Sequence, residues 1–403
     1  MSGYHYGITI REFREKKGIT QAQLAEVWPR SGGEVGVSTD YVSLVETGKK
    51  HIVDLDTLRR LCDILSIPYW KVGLSEYDPF NPDAPLRKES SMYDETLNAA
   101  ESLIKRTWRL RRIIALPSVS ESVDELDRLF TYLREHMPPP LRLETRFQVL
   151  YAQDLRLKAV MDIEFQRYRE ALDTFRQMYE IAAAIDHPAT LALALMGIGT
   201  EVERSGKQQE AIEYLEAARD ESFRASRHIA AVVNAYLARA YASNHQPVQF
   251  KRAIDIAQKI ATDLQPHYGD GTDFVFHSLS GVLAERSYGY LDLKEPQSTL
   301  DMKEEIQRQI AIEGNVWLDA WIPLDWARAH LMLGHVDESV EFGREFHHKA
   351  VAIKSPHAKS RAIRLLNTLE LAGYGQAQAV KDFRRELGQE VCQQVDTSDI
   401  YEL

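Results

Sequence analysis

The feature that most constrains this chain is the near-unbroken helical pattern running from Leu141 to about Leu387. Ala, Leu, Glu, Arg and Gln dominate the stretch, and apolar residues return every three or four positions, as in Ala211, Ile212, Leu215 and Ala218. Alternating runs rich in Val or Ile, which a half-buried strand requires, are scarce. At 403 residues the chain exceeds what one hydrophobic core organises. The expectation is an all-α protein built as several domains or as a repeat array.

Self-comparison resolves the pattern into helical hairpins. The clearest runs through Leu195, Ile198, Gly199 and Val202, turns at Gly206, and continues through Ala211, Leu215 and Ala218. Small residues at Gly199 and Ala211 would let two antiparallel helices approach closely. A preceding copy holds Leu155, Ala159, Tyr168, Ala171 and Phe175, and a following one Leu237, Ala238, Tyr241, Ala253 and Ala257. Weaker copies contain Trp326 and Ala327 with Gly334, and Leu365 and Leu366 with Gly373. The spacing resembles the tetratricopeptide repeat, although Ala171, Ala211 and Ala253 recur at about 40 residues rather than the 34 of the simplest repeat. That resemblance implies a right-handed superhelix whose concave wall, made by the first helix of each hairpin, binds a peptide or protein segment. Side chains that donate and accept together suit a peptide backbone. The effector-binding candidates on the inferred first helices are Gln153, Arg156, Thr200, Glu203, Asn234 and Arg239, with Asn234 and Arg239 foremost. The alternative reading of each is a solvated or hairpin-packing polar residue.

The N-terminal part reads differently. ITIREFREKK places Ile10 and Phe13 on one helical face before Gly18 stops the helix. Thr20 is a good N-cap for a segment that turns Leu24, Val27 and Trp28 inward, and Ser38 caps the segment Thr39 to Glu46, which ends at Gly48. Asp56 to Leu65 supplies another amphipathic helix. Four or five short helices make a compact bundle.

TQAQLAEV, VSTDYVSLVETGKK and LDTLRRLCDILSI resemble the Cro and phage-repressor type of helix-turn-helix domain over Ile8 to Val72. The resemblance implies that the helix from Thr39 is the recognition helix. Bases are read by side chains near its N-terminus, and helix N-termini and cations hold phosphates. Candidate DNA contacts are Thr39, Asp40, Ser43 and Leu44 for bases, with Gln21, Ser38, Lys49 and Lys50 for the backbone. His51, Arg11, Arg14, Lys16 and Lys17 are further backbone candidates. Two features depart from the family. The turn WPRSGGEVGVS is several residues longer than usual, forming a wing that carries Arg30 or tilting the recognition helix, and Asp40 puts an anion where an amide or cation is common.

The proline-rich segment Asp78 to Ser91 disfavours helix and divides the chain. The expected organisation is a helix-turn-helix domain over 1–77, a linker over 78–91, connecting helices over 92–140, the repeat domain over 141–390 and a tail over 391–403. The net charge of −11 opposes nucleic-acid binding by the whole chain, but a regulator needs only one positive face. The basic run Lys105 to Arg112 either reinforces DNA binding or forms a solvated or acid-paired helix face. Trp317, Trp321 and Trp326 read as hairpin core rather than a ligand pocket. His347, His348 and His357 lack metal-ligand spacing, so no metal is expected, nor any cofactor. Phosphate-loop, dinucleotide and hydrolase motifs are missing, which argues against an enzyme. Cys62 sits among leucines as a core residue. Two cysteines, no leader and no apolar span point to a cytoplasmic protein away from membranes.

A Cro-type domain joined to long tetratricopeptide hairpins resembles the bacterial regulators that respond to peptide pheromones. That architecture implies a double-stranded DNA operator, a short peptide or partner-protein segment as effector, and a homodimer. The competing readings are a protein-interaction adaptor and a regulator of another enzyme, each with a vestigial or docking helix-turn-helix.

Overall fold

A computed structural model of the chain describes residues 5–30, 35–74 and 86–391. The described residues form nineteen α-helices and no strand, the one β-type pairing being an isolated bridge between Pro29 and Val35. No described helix is long and apolar enough to cross a membrane.

Helices α1 (Tyr6–Lys16), α2 (Gln21–Val27), α3 (Thr39–Glu46) and α4 (Leu55–Leu65), with a 3-10 turn over Tyr69–Val72, enclose a core of their own around Ile10, Leu24, Trp28, Val42, Leu58 and Leu61. Local chemistry sets their ends. Thr20 and Gln23 form a reciprocal capping box at α2, the Ser38 hydroxyl accepts from Tyr41 N–H at α3, and Asp54 accepts from Asp56 and Thr57 at α4. Because α2 stops at Val27, the backbone turns extended at Trp28. Trp28 therefore drops into the core at 1% exposure while Val27, expected inside, is 45% exposed. Cys62 is fully buried, and burial pushes its thiol up to about 12.

The proposed linker 78–91 lies partly outside the described residues, and its last six positions are already helical. Helix α5 (Leu86–Arg111) begins there, one residue after Pro85, and is followed by α6 (Leu116–His136). Of the tail 391–403, residues 392–403 lie outside the described residues.

Helical hairpins follow. They are α7 (Leu141–Glu164) with α8 (Tyr168–Ala184), α9 (Pro188–Arg204) with α10 (Gln208–Ser222), and α11 (Arg227–Ser243) with α12 (Pro247–Asp263). Next come α13 (Leu279–Asp292), whose return limb is broken into α14 (Pro296–Asp301) and α15 (Lys303–Glu313), then α16 (Val316–Met332) with α17 (Val336–Ile353), and α18 (Pro356–Leu369) with α19 (Gln378–Val391). Each helix packs on its hairpin partner and, up to α17, on the next hairpin. At Gly199 an added Cβ would stand 2.7 Å from Leu215 Cγ, so α9 and α10 approach as closely as the small residue allows.

The array also meets its own beginning. Helix α18 packs on α7, where the Ser355 hydroxyl donates to Glu164 at 2.8 Å and Gln166 Nε2 to the Pro356 carbonyl at 3.4 Å. The first helices of the hairpins thus surround a common interior.

Candidate nucleic-acid interface

Helix α3 is the element that presents the candidate reading surface. Its buried face carries Val42, Val45 and Glu46 into the bundle core, so the opposite face points outward. Ser38, Thr39 and Asp40 are exposed, Leu44 is 39% exposed and Ser43 is half-buried, all with the helical array in place. Asp40 lies in the first turn, where the partial positive charge of the free N–H groups stabilises a carboxylate. Ser38 spends its hydroxyl oxygen on Tyr41 N–H and fixes the entry of the helix. Lys49 is exposed beyond the helix end, and Lys50 places its ammonium 4.9 Å from the centre of the Tyr41 ring.

An ion pair locks α3 to α1. The carboxylate of Glu46, 1% exposed, accepts from Arg14 Nε at 2.5 Å and Nη2 at 3.0 Å, and from Gln21 Nε2 at 2.7 Å. Arg14, counted in the sequence among possible phosphate ligands, is consumed by this pair and by the Ile19 carbonyl at 2.9 Å. Gln21 begins α2 as expected, but its amide N–H is committed to Glu46, so only its remaining capacity faces outward. His51 is also redirected: its Nδ1 stands 2.8 Å from Glu144 on α7, and its backbone N–H donates to the Ala184 carbonyl at 3.3 Å. With Leu141 packed against the bundle core and Gly73 against Leu141, these contacts seat the N-terminal domain on the first hairpin.

The lengthened turn between α2 and α3 is closed on itself. Gly36 N–H donates to the Trp28 carbonyl at 2.8 Å, Val37 N–H to the Ala25 carbonyl at 2.9 Å, and Pro29 bridges to Val35. Arg60 on α4 donates to the Arg30 carbonyl at 2.9 Å, which pins the near limb. Residues 31–34, between these two limbs, lie outside the described residues.

The basic run 105–112 does not join this surface. Arg109 donates to the Asp270 carbonyl at 3.0 Å, Arg111 pairs with Glu164 at 3.1 Å and lies over Trp317 at 4.6 Å, and Arg112 stands 3.7 Å from Glu313. Trp108 stacks on Phe276. The C-terminal end of α5 is therefore inserted among the hairpins, and acid pairing within the chain takes most of its cations.

Of the six effector candidates, two come together. Arg239 on α11 bridges Glu203 on α9 at 2.9 Å and Glu285 on α13 at 3.4 Å. Arg156 is buried, donates to the Phe274 carbonyl and stacks on Trp108. Asn234 is 5% exposed and returns its amide N–H to the Ala230 carbonyl one turn back, and the Thr200 hydroxyl donates to the Gly197 carbonyl. Gln153 is buried, with its carbonyl oxygen unpartnered among the described residues. Sequence reasoning passed over Glu285 and Tyr288, because the repeat containing α13 has a broken second limb and yields no hairpin pattern. It also passed over Arg328, which pairs with Asp292 at 3.3 Å, and over Arg361. Trp326 is buried as expected of hairpin core, whereas Trp317 and Trp321 are half-buried, with Arg111 on one and the His357 ring 5.0 Å from the other.

Residues 5–68 match the family described as a helix-turn-helix domain, a span that includes α1 to α4. No curated protein matches the chain. The N-terminus is thus a helix-turn-helix DNA-binding domain followed by a helical, repeat-like region, an organisation that points to a DNA-binding regulator.

Proposed function

We propose that the chain is a sequence-specific regulator of transcription of the Cro type, acting as a homodimer on a two-part operator, with its helical array working as a tetratricopeptide-like sensor of a peptide or partner segment. The observation that carries the reading is the free outer face of α3. Thr39, Asp40 and Leu44 remain exposed beside an exposed Lys49 while the array is docked behind the domain. The His51–Glu144 contact and the seating of Leu141 against the bundle core supply two mechanical links through which occupancy of the interior would reach α3. For an effector to act, its affinity must differ between the two arrangements of those links. Pairing two domains compensates for the small DNA surface that one buries.

A second reading is favoured by charge. Residues 5–72 contain ten Lys/Arg against nine Asp/Glu, so the domain itself is nearly neutral, and a docking role would need no polyphosphate affinity. Fluorescence anisotropy with mixed duplex DNA separates the two. The regulator reading expects binding whose logarithmic affinity falls with the logarithm of salt concentration, with a slope of several charges, and a slope smaller by about one in Lys49→Gln. Absence of binding at low salt would favour the docking role.

A further inference from the structure

Several arginines point into the interior enclosed by the hairpins, and nearly all of them meet a carboxylate there. Arg204 pairs with Glu201, Arg239 with Glu203 and Glu285, and Arg328 with Asp292. Arg361 on α18 is different. It is half-buried, and its one hydrogen bond runs from Nε to Nε2 of His357 at 3.3 Å. That geometry requires a neutral imidazole, in keeping with a ring held down to about 3 by burial and by the fields of Arg204, Arg361 and Arg364. Both Nη amines of Arg361 are left without a partner among the described residues. They form a planar two-pronged donor of the kind that receives a carboxylate or phosphate in bidentate fashion.

The surroundings come from elements far apart in sequence. Tyr288 on α13, and Tyr168 and Arg204 at the seam between α8 and α9, lie within electrostatic reach of Arg361. Arg204 lies 5.1 Å over the Tyr168 ring, Tyr168 meets His357 edge-on at 6.1 Å, and Trp321 meets His357 at 5.0 Å. Arg364, three residues further along α18, is exposed. The result is a cationic, aromatic-walled cluster inside a chain of net charge −11. A half-buried guanidinium without a counter-charge carries a desolvation cost that a bound anion offsets.

We propose that this cluster is a binding site for an anionic oxygen group, a carboxylate or phosphate gripped by the free fork of Arg361, and that an apolar part of the ligand packs on Trp321 and Tyr168. The site rests on the reading of the array interior as an effector chamber, and it names the chemistry that the effector carries.

The test is calorimetric titration of the full chain with hippurate and with phenyl phosphate, using benzamide as the uncharged control. Saturable binding of at least one anion and none of benzamide is expected, weakened at least tenfold in Arg361→Gln and unchanged in Arg252→Gln on the exposed side of α12. Preference for hippurate identifies a peptide carboxylate as the source, and preference for phenyl phosphate a phosphomonoester. Should Arg361→Gln not fold, Arg361→Lys keeps the charge and removes the two-pronged geometry, and at least threefold weakening is expected. No saturable binding by the wild-type chain, or binding unaltered by a folded Arg361 variant, overturns the proposal. The titration contains no DNA, so anion binding without any effect on DNA affinity would refute effector control while leaving the site in place.

Discussion

Replacing Glu46 with alanine tests how the DNA-reading helix is held. Glu46 accepts three hydrogen bonds, two from Arg14 and one from Gln21, and its side chain is 1% exposed. Glu46→Ala leaves the Arg14 guanidinium, 9% exposed, with the Ile19 carbonyl and a long 3.4 Å contact to Glu15 as its remaining partners. Removing one member of a buried pair costs about 3–5 kcal/mol, chiefly because the other charge stays desolvated. A domain of this size has a total stability of roughly 3–10 kcal/mol. The variant should therefore open the N-terminal domain selectively while the array, with its separate core, stays folded. Hydrogen exchange resolved by peptide gives the readout: amides of α1 and α3 should exchange on the order of a hundredfold faster or more, and those of α9 to α12 should not change. The double variant Arg14→Met/Glu46→Leu, which removes both charges, should recover most of the loss. A drop below about 1 kcal/mol in Glu46→Ala, or a double variant no better than the single, would refute the argument that an orphaned buried charge is the cost.

Two further outcomes follow from the array. Asp154 on α7 is fully buried, neither carboxyl oxygen has a hydrogen-bond partner among the described residues, and burial followed by the field of Asp127 raises its pKa to about 8. A raised carboxyl favours the folded state below its unfolded value of 3.8, and that contribution is lost as pH climbs through about 8. Wild-type stability should decline across that window by an amount on the order of a few kcal/mol, and chemical denaturation of Asp154→Asn should show a flatter profile; an equal slope in both proteins would contradict this. Gly199→Ala drives a methyl against Leu215 and the Ala211 carbonyl, and should lower the thermal midpoint through a loss of about 1–3 kcal/mol. A midpoint at or above the wild-type value would show that α9 and α10 separate at little cost.

What could be read in advance was whatever short-range chemistry determines. The starts of α2 and α3 were legible because the caps Thr20 and Ser38 act within three residues, and the helical class because its periodicity is local. The hairpin turns were legible at Gly206 and Gly334, where glycine marks the left-handed residue. Gln166, Asp186, His245, Lys294 and Lys354 take that same conformation between neighbouring helices without a glycine to announce it, and this blurred the register of the copies. The fate of the charges was not legible. Arg14, His51, Arg111 and Arg361 look alike as sequence, and only tertiary proximity separates a buried lock, a docking contact, an inserted plug and an unpaired fork. The broken limb at α14 and α15 hid α13, and with it Glu285 and Tyr288.

Selection from a random duplex pool, followed by sequencing, tests the central claim most directly when wild type and Asp40→Asn are run side by side. The account predicts that wild type enriches a two-part motif, and that Asp40→Asn keeps its spacing while changing the preferred base at one position in each half, since Asp40 lies exposed in the first turn of α3. No enriched motif with wild type, or one that Asp40→Asn and changes at Ser43 and Leu44 all leave untouched, would contradict the assignment of α3 as the reading helix.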